Sequence, residues 1–238
     1  MLTSSVLEVV DWLSWTSGVD AVRSPGERRA VAVPIKQRVI TAVVRQFGHP
    51  RGIGGHLAGW VMAHRSSNKH RNRWVVSLLD IQPADRVLEI GFGPGLAIAE
   101  LSRRATRGMV YGIDHSDVML KQATKHNAAA IRAQRVKLVQ ASSEQLPPFD
   151  EPLDAALAVN SLGFWPQPTQ RLIELRALLR PGGRIAIATQ PRCPGATEET
   201  STQAARHVAH QLREAGFTLT RVATLHLKPP VICVLARC

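Results

Sequence analysis

The sequence predicts an α/β fold: a seven-stranded, mostly parallel sheet with helices on both faces and an antiparallel last strand, preceded by an N-terminal helical extension. Three observations carry that expectation. From Val87 onward, short apolar runs alternate with stretches of helical period, the pattern of a parallel sheet covered by crossover helices. The first run, Val87-Leu88-Glu89-Ile90, enters Gly91-Phe92-Gly93-Pro94-Gly95 before a helical stretch at Leu96 to Leu101. Glycine at three alternate positions suits a strand-to-helix turn with φ > 0. The last two apolar runs are joined through Lys228-Pro229-Pro230, too tight a link for a parallel crossover, so they pair antiparallel.

Taken in order, Leu2 to Trp15 set Val6, Val9, Val10 and Leu13 on one helical face, with Glu8 and Asp11 opposite and Trp12 and Trp15 alongside. Such a face docks on the domain, pairs with a second copy to give a homodimer, or lies on a membrane. The positive charge follows this helix instead of lining its polar face, which argues against a membrane anchor. Thr16 to Arg29, with Ser24-Pro25-Gly26, reads as a linker. A second helix is expected from Pro34 to about Phe47, where Ile35, Val39, Val43 and Phe47 recur every fourth residue. Gly48 to Gly55 reads as a flexible loop able to close over a ligand. A third helix, or a pair broken near Ser66-Ser67, is expected from about Leu57 to Leu79, with Asn68 and Asn72 on one face and Trp74, Val75, Leu78 and Leu79 buried.

Pro83-Ala84-Asp85 turns into strand one, Arg86 to Ile90, and its helix runs to about Arg104. Strand two is Met109 to Ile113, followed by a helix from about Asp117 to Ile131. Strand three is Val136 to Gln140. Strand four is Asp154 to Val159, with a helix from Thr169 to Leu179. Strand five is Arg184 to Thr189, followed by a helix from about Ser201 to Ala215 that Gly216 caps. Thr218 to Leu225 and Val231 to Ala236 complete the sheet.

The loop at Gly91 to Gly95 lets a ligand lie on bare peptide, and the free N–H groups of the following helix add a weakly positive pocket. That is a nucleoside cradle, and its spacing discriminates among nucleosides. A dinucleotide fingerprint, counted from Gly91, needs its third glycine at the position of Leu96. No phosphate-gripping Gly-x-x-x-x-Gly-Lys-Ser/Thr run occurs. Strand two leads into Asp114, 25 residues after Glu89, where a carboxylate can accept hydrogen bonds from both ribose hydroxyls.

The run Glu89 to Gly95, Asp114 with Ser116 and Met119-Leu120, and Leu178-Leu179-Arg180-Pro181-Gly182-Gly183-Arg184 together resemble the class I S-adenosylmethionine-dependent methyltransferases. The resemblance spans about residues 68 to 238 and implies a Rossmann-like sheet closed by the terminal hairpin. It divides the chain into residues 1–67, an N-terminal helical extension and lid, and 68–238, the S-adenosylmethionine-binding domain. It further implies that Gly91, Phe92, Gly93 and Gly95 pass the methionine part of the cofactor. Glu89 sits beneath, Asp114 holds the ribose, His115 lies against the adenine, Met119 is among the cofactor-binding residues, and Ser142 and Ser143 approach the ring. Family members usually carry an acid where Ser142 stands, within Ala141-Ser142-Ser143-Glu144-Gln145-Leu146-Pro147, so grip on the adenine amine is weaker here.

Asn160-Ser161-Leu162-Gly163 borders the expected methyl-transfer centre, with Asn160 and Ser161 within reach of the cofactor. It lacks the Asn/Asp-Pro-Pro-aromatic clamp of enzymes that methylate a flipped base, and it lacks a histidine near Gly163 to act as a base. His49 and His56, in the expected lid, are the candidate general bases. The implied activity is methyl transfer to a small organic molecule. RNA or phospholipid recruited by the basic N-terminal region, or a non-catalytic cofactor-binding module, are the alternatives; nucleic acid is not favoured.

Composition bounds these readings. The 238 residues carry a net charge of +12. Between Ala21 and Val75 there are eleven Lys/Arg against one acid, a bias toward anionic partners or a solvated basic surface. Cys193, Cys233 and Cys238 show neither C-x-x-C spacing nor a His partner, so neither a metal site nor a disulfide framework is expected. The first residues lack the basic start and apolar core of a secretory signal, and no apolar stretch approaches the ~20 residues that span a bilayer. A cytoplasmic location with no integral membrane segment is the expectation.

Overall fold

A computed structural model describes residues 66–191, 193 and 195–238. Its elements are α1 (Ser66–Leu78), β1 (Arg86–Ile90), α2 (Leu96–Arg104), β2 (Met109–Asp114), α3 (Asp117–His126), α4 (Ala128–Arg132), β3 (Val136–Gln140), β4 (Leu153–Val159), a 3-10 turn (Leu162–Phe164), α5 (Pro168–Leu178), β5 (Leu179–Thr189), α6 (Glu198–Glu214), β6 (Thr218–Leu225) and β7 (Val231–Arg237). They form the expected seven-stranded Rossmann-like sheet, in the order β3-β2-β1-β4-β5-β7-β6. The first five strands run parallel, and β7 lies antiparallel to both β5 and β6.

Strand order sets the location of the site. From β1 the chain moves outward to β2 and β3, then crosses back to β4 on the other side of β1. Connections above β1 and β4 therefore diverge, leaving a crevice at their carboxyl ends, the usual ligand position in open α/β sheets. The central strands are apolar because both their faces are covered. On one face Val87, Val110, Leu157 and Ala186 pack with Ile98 and Leu101 of α2 and Val75 and Val76 of α1. On the other, Leu88, Ile113, Ala156 and Ile185 pack with Leu172 of α5 and Val208 and Leu212 of α6. The edge strands are more exposed, and Lys137 on β3 and Arg221 on β6 are charges of the kind that discourage edge-to-edge pairing.

Three elements depart from the sequence expectation for identifiable reasons. The helix after β2 is interrupted at Asn127 (φ −107°, ψ 15°), where α3 ends and α4 begins. Strand β5 starts at Leu179 and not Arg184: Leu153 pairs with Leu179 and Ala155 with Arg184, so Arg180-Pro181-Gly182-Gly183 bulges out. Gly182 supplies the φ of +74° this requires, and Arg180 Nε anchors the bulge on Asp154 Oδ1 at 2.6 Å. Helix α6 begins at Glu198 because Thr197 and Thr200 form a reciprocal capping box, with threonine where Glu or Gln usually stands.

The expected helices at Leu2–Trp15 and Pro34–Phe47, the loop Gly48–Gly55 and the first half of the third helix lie outside the described residues. Among the described residues no helix is long and apolar enough to cross a membrane.

Candidate functional site

The crevice above β1, β2 and β4 is built around the glycine loop. Gly91, Gly93 and Gly95 have φ of +79°, +51° and +79°, a left-handed conformation that side chains disfavour. Each is held differently. The Gly91 amide donates to Ile113 O at 2.8 Å, and a Cβ at Gly91 would lie 2.4 Å from the Ser161 Cβ. Ser161 in turn donates its hydroxyl to Ile90 O at 2.5 Å, so the end of β4 is stapled to the end of β1. Gly95 opens α2, and a Cβ there would meet Asn127 Nδ2 at 2.6 Å and Ala123 Cβ at 2.8 Å. Gly93 is the exception, since a Cβ there would meet no atom of the described residues within 4 Å. The loop is packed on its flanks and open at its centre.

Asp114 holds that centre. Its Oδ2 accepts the Gly93 amide at 2.8 Å and its Oδ1 accepts the Ser116 amide at 2.9 Å, while the side chain stays 7% exposed. Each oxygen retains a further lone pair, the requirement for a carboxylate that grips a diol. Burial raises its pKa, opposed by the Ser116 and Gly93 amides and then by His115. His115 is half exposed, with Nδ1 3.8 Å from Asp114 Oδ1. Ala141 N donates to Asp114 O at 3.0 Å, which brings Ser142 and Ser143 alongside. Ser142 Oγ is engaged with Glu144, accepting its amide at 3.2 Å and donating to Oε2 at 3.3 Å.

Glu89 lies directly below the loop and is 1% exposed. The Ile98 amide of α2 reaches its carboxylate, whereas the buried Oε2 has no hydrogen-bond partner among the described residues. Burial pushes its pKa well above the ordinary carboxylate range, and the nearby Asp114 pushes it further. A raised native pKa means that the folded chain binds more protons than the unfolded one between the two values, so stability falls as pH rises through that window. Glu89→Gln, which cannot ionise, should therefore melt higher than the native protein at about pH 8, by about 2–4 °C for each kcal/mol of relieved burial. The two should converge below about pH 4. Thermal melts across pH test this, and an unchanged difference at every pH would contradict it.

Other expected site residues sit differently. Phe92 and Met119 are 3% and 2% exposed and pack in the core, where Phe92 supports the loop from below. Asn160 adopts φ +55°, and its Oδ1 accepts the Gln190 amide at 2.8 Å. His49 and His56 lie outside the described residues.

Sequence reasoning missed two contributors. Asn127 Nδ2 donates to Gly95 O at 3.1 Å and to Ala123 O at 2.9 Å, bracing the loop from α3. Gln190 Nε2 donates to Pro229 O at 2.8 Å, and its Oε1 accepts Arg71 Nη1 at 2.6 Å. Arg71 also donates to Asn68 Oδ1 at 2.8 Å, so Asn68 is spent on tethering α1 to the ends of β4 and β5. The sequence shows only an arginine, Arg71, three residues after Asn68; its burial appears with the fold.

The donor set fits a nucleoside-bearing sulfonium. Among the described residues there is open space beside Gly93, a carboxylate able to accept from a diol, and a buried acid beneath the loop whose Oε2 has no hydrogen-bond partner and could face a cationic group. Among the described residues no cluster of three or more His, Cys, Asp or Glu is placed to bind a metal.

Comparison with known proteins bears on the same residues. A methyltransferase-domain family model matches residues 87–183, the span from β1 to the β5 bulge. An uncharacterized methyltransferase of Bacillus subtilis (strain 168), YdaC, is 31% identical over 182 residues, covering 76% of this chain and 97% of that protein. The 27-O-demethylrifamycin SV methyltransferase of Amycolatopsis mediterranei (strain S699) is 28% identical over 151 residues, and the match spans about half its length, 53%. A SAM dependent methyltransferase from Aquifex aeolicus superimposes with a TM-score of 0.57 at 20% identity, covering 70% of this chain and 88% of that one. With a left-handed glycine loop, a buried carboxylate at the end of β2 and a relative matched over 97% of its length in agreement, the chain belongs to the class I S-adenosylmethionine-dependent methyltransferases.

Proposed function

We propose that this enzyme methylates a small organic molecule, and that it does so mainly by holding donor and acceptor in line. The observation that carries the reading is the orientation of Asn160. At the end of β4, where a flipped base would be clamped, the Asn160 carbonyl is committed to the Gln190 amide, and Ser161-Leu162-Gly163 follow where a Pro-Pro-aromatic run would stand. A base amine would find no clamp there. The neighbouring Phe164 is 48% exposed on the 3-10 turn, an apolar surface suited to an organic acceptor. The name of the Amycolatopsis relative, which describes a methyltransferase for a demethylated rifamycin, supports an acceptor of that class.

Bound S-adenosylmethionine supplies an already activated methyl group. The chain's own residues have positioning to do. Asp114 fixes the ribose, the Gly91–Gly95 backbone carries the methionine part, and the β4 end aligns the acceptor. Residues 1–67 are proposed to cover the site, separate from a cofactor-binding domain at 68–238. Near-attack alignment alone contributes about 7–11 kcal/mol in favourable cases, enough to make a dedicated base secondary.

Gly93 tests the cradle directly. Gly93→Ala adds a methyl group where no atom of the described residues lies within 4 Å, so its stability cost should be limited to the left-handed backbone, about 1–2 kcal/mol. Cofactor affinity should fall at least about tenfold, which is 1.4 kcal/mol. Unchanged affinity would place the ligand elsewhere. The acceptor class is tested by incubating the enzyme with cell-extract metabolites, cellular RNA and phospholipid vesicles, each with isotope-labelled methyl donor. Label on a discrete metabolite is expected; label confined to RNA or lipid would overturn the small-molecule reading.

A further inference from the structure

Glu89 is the one acid of the site that the positioning scheme leaves without a complete set of partners. The groups around it can be named from each neighbouring element. Across β2 its register partner is Gly112, with Asp114 two residues on; across β4 it faces Leu157. From α2 comes the Ile98 amide, while Glu100, the next acid of that helix, is engaged with Arg103 and Arg104. The glycine loop, Gly91 to Gly95, carries no charged side chain, and His115 Nδ1 lies 3.8 Å from Asp114 Oδ1. Among the described residues, then, the charged side chain acting on Glu89 is another carboxylate.

Two buried acids this close do not both ionise readily in a site without a cation. The geometry decides which one keeps the proton. Asp114 accepts two amide N–H bonds, one on each oxygen, which favour its charged form. Glu89 receives the single Ile98 amide and leaves Oε2 unsatisfied in the interior. S-adenosylmethionine brings a sulfonium and an ammonium against one carboxylate, a net positive charge above this pair.

We propose that Glu89 is protonated when the cradle is empty and releases that proton to solvent when S-adenosylmethionine binds, so that cofactor uptake is linked to pH. The inference rests on the cofactor lying on the Gly91–Gly95 loop. No bond to the cofactor is made or broken: the carboxylic acid becomes a carboxylate facing the ligand's positive charge, and the proton goes to buffer. The sign follows from linkage. Between the pKa of Glu89 in the complex and its higher pKa in the empty protein, affinity rises with pH, by up to about tenfold per unit for one proton. Outside that window it is flat.

The test is calorimetric titration of S-adenosylmethionine into the full chain, in buffers of differing ionisation enthalpy, from about pH 5 to about pH 8. The expected result is a release approaching one proton per site within the window, with affinity climbing over the same range. Glu89→Gln, checked for folding by thermal melt, should bind without releasing that proton, whereas His115→Asn should still release it. Binding by the native protein with no proton exchanged at any pH would overturn the inference while leaving the cofactor site intact. Release that persists in Glu89→Gln and vanishes in His115→Asn would overturn it in favour of the imidazole. No binding at all by the native protein would overturn the cradle and this inference together.

Discussion

Asp114→Ala is expected to weaken binding of S-adenosylhomocysteine by at least about 100-fold, or 2.7 kcal/mol. The carboxylate does two jobs. It accepts the Gly93 and Ser116 amides at 2.8 and 2.9 Å, and in the proposed complex its remaining lone pairs accept from the ribose diol. Hydrogen bonds to a charged acceptor are worth about 1.5–3 kcal/mol each, so losing the ligand contacts alone approaches the stated effect. Losing the loop's anchor adds to it. Stability should suffer less than binding, because removing a buried acid also removes the cost of burying it. Asp114→Asn keeps one carbonyl acceptor and should fall between, at about tenfold. Titration calorimetry with parallel thermal melts separates the two effects. Affinity within a few-fold of native in the alanine variant would remove Asp114 from the ribose.

Gly91→Ala should produce the largest stability loss of any single change at the site. The new Cβ would sit 2.4 Å from the Ser161 Cβ and 2.9 Å from its Oγ, on a backbone with φ +79°. The left-handed conformation costs about 1–2 kcal/mol and overpacking a further ~1–3 kcal/mol, so urea unfolding should report a loss of about 2–5 kcal/mol. Ser161→Gly removes the steric clash but also the hydroxyl bond to Ile90 O, so Ser161→Gly is measured alone as the reference. Gly91→Ala should cost only the backbone part, about 1–2 kcal/mol, in the Ser161→Gly background; a cost there equal to that in the native background would show that the strain lies in the loop itself. Against Gly93→Ala, where the added methyl group meets no atom of the described residues within 4 Å, this pair separates a glycine that packing requires from one whose proposed role is toward the ligand.

Much of this could be read from the chain. Strand and helix periodicity placed all seven strands, because the central ones are covered on both faces and leave near-continuous apolar runs. The glycine loop and Asp114 were legible because a backbone that must turn left-handed and a carboxylate at a strand end leave local signatures. What escaped was long-range. Asn127 looked like a mid-helix residue, and its role appears only when α3 is packed against Gly95. Nothing near Gln190 in sequence signals that it would join Arg71, Pro229 and Asn160, since those partners lie 119, 39 and 30 residues away. The β5 bulge was hidden for a related reason: Arg180-Pro181-Gly182-Gly183 reads as a turn, and only pairing with β4 draws Leu179 into the strand. Phe92 and Met119 belong to motifs expected to border the cofactor, and their side chains pack in the core.

A crystal structure of the full chain with S-adenosylhomocysteine is the most direct test of a nucleoside resting over Gly93 with its diol on Asp114. Both ribose hydroxyls are expected within hydrogen-bond distance of the Asp114 carboxylate, about 2.5–3.0 Å, with the amino-acid end above the loop that Glu89 underlies. A complex in which the ribose is held by other side chains, with Asp114 still turned only to the Gly93 and Ser116 amides, would contradict that placement.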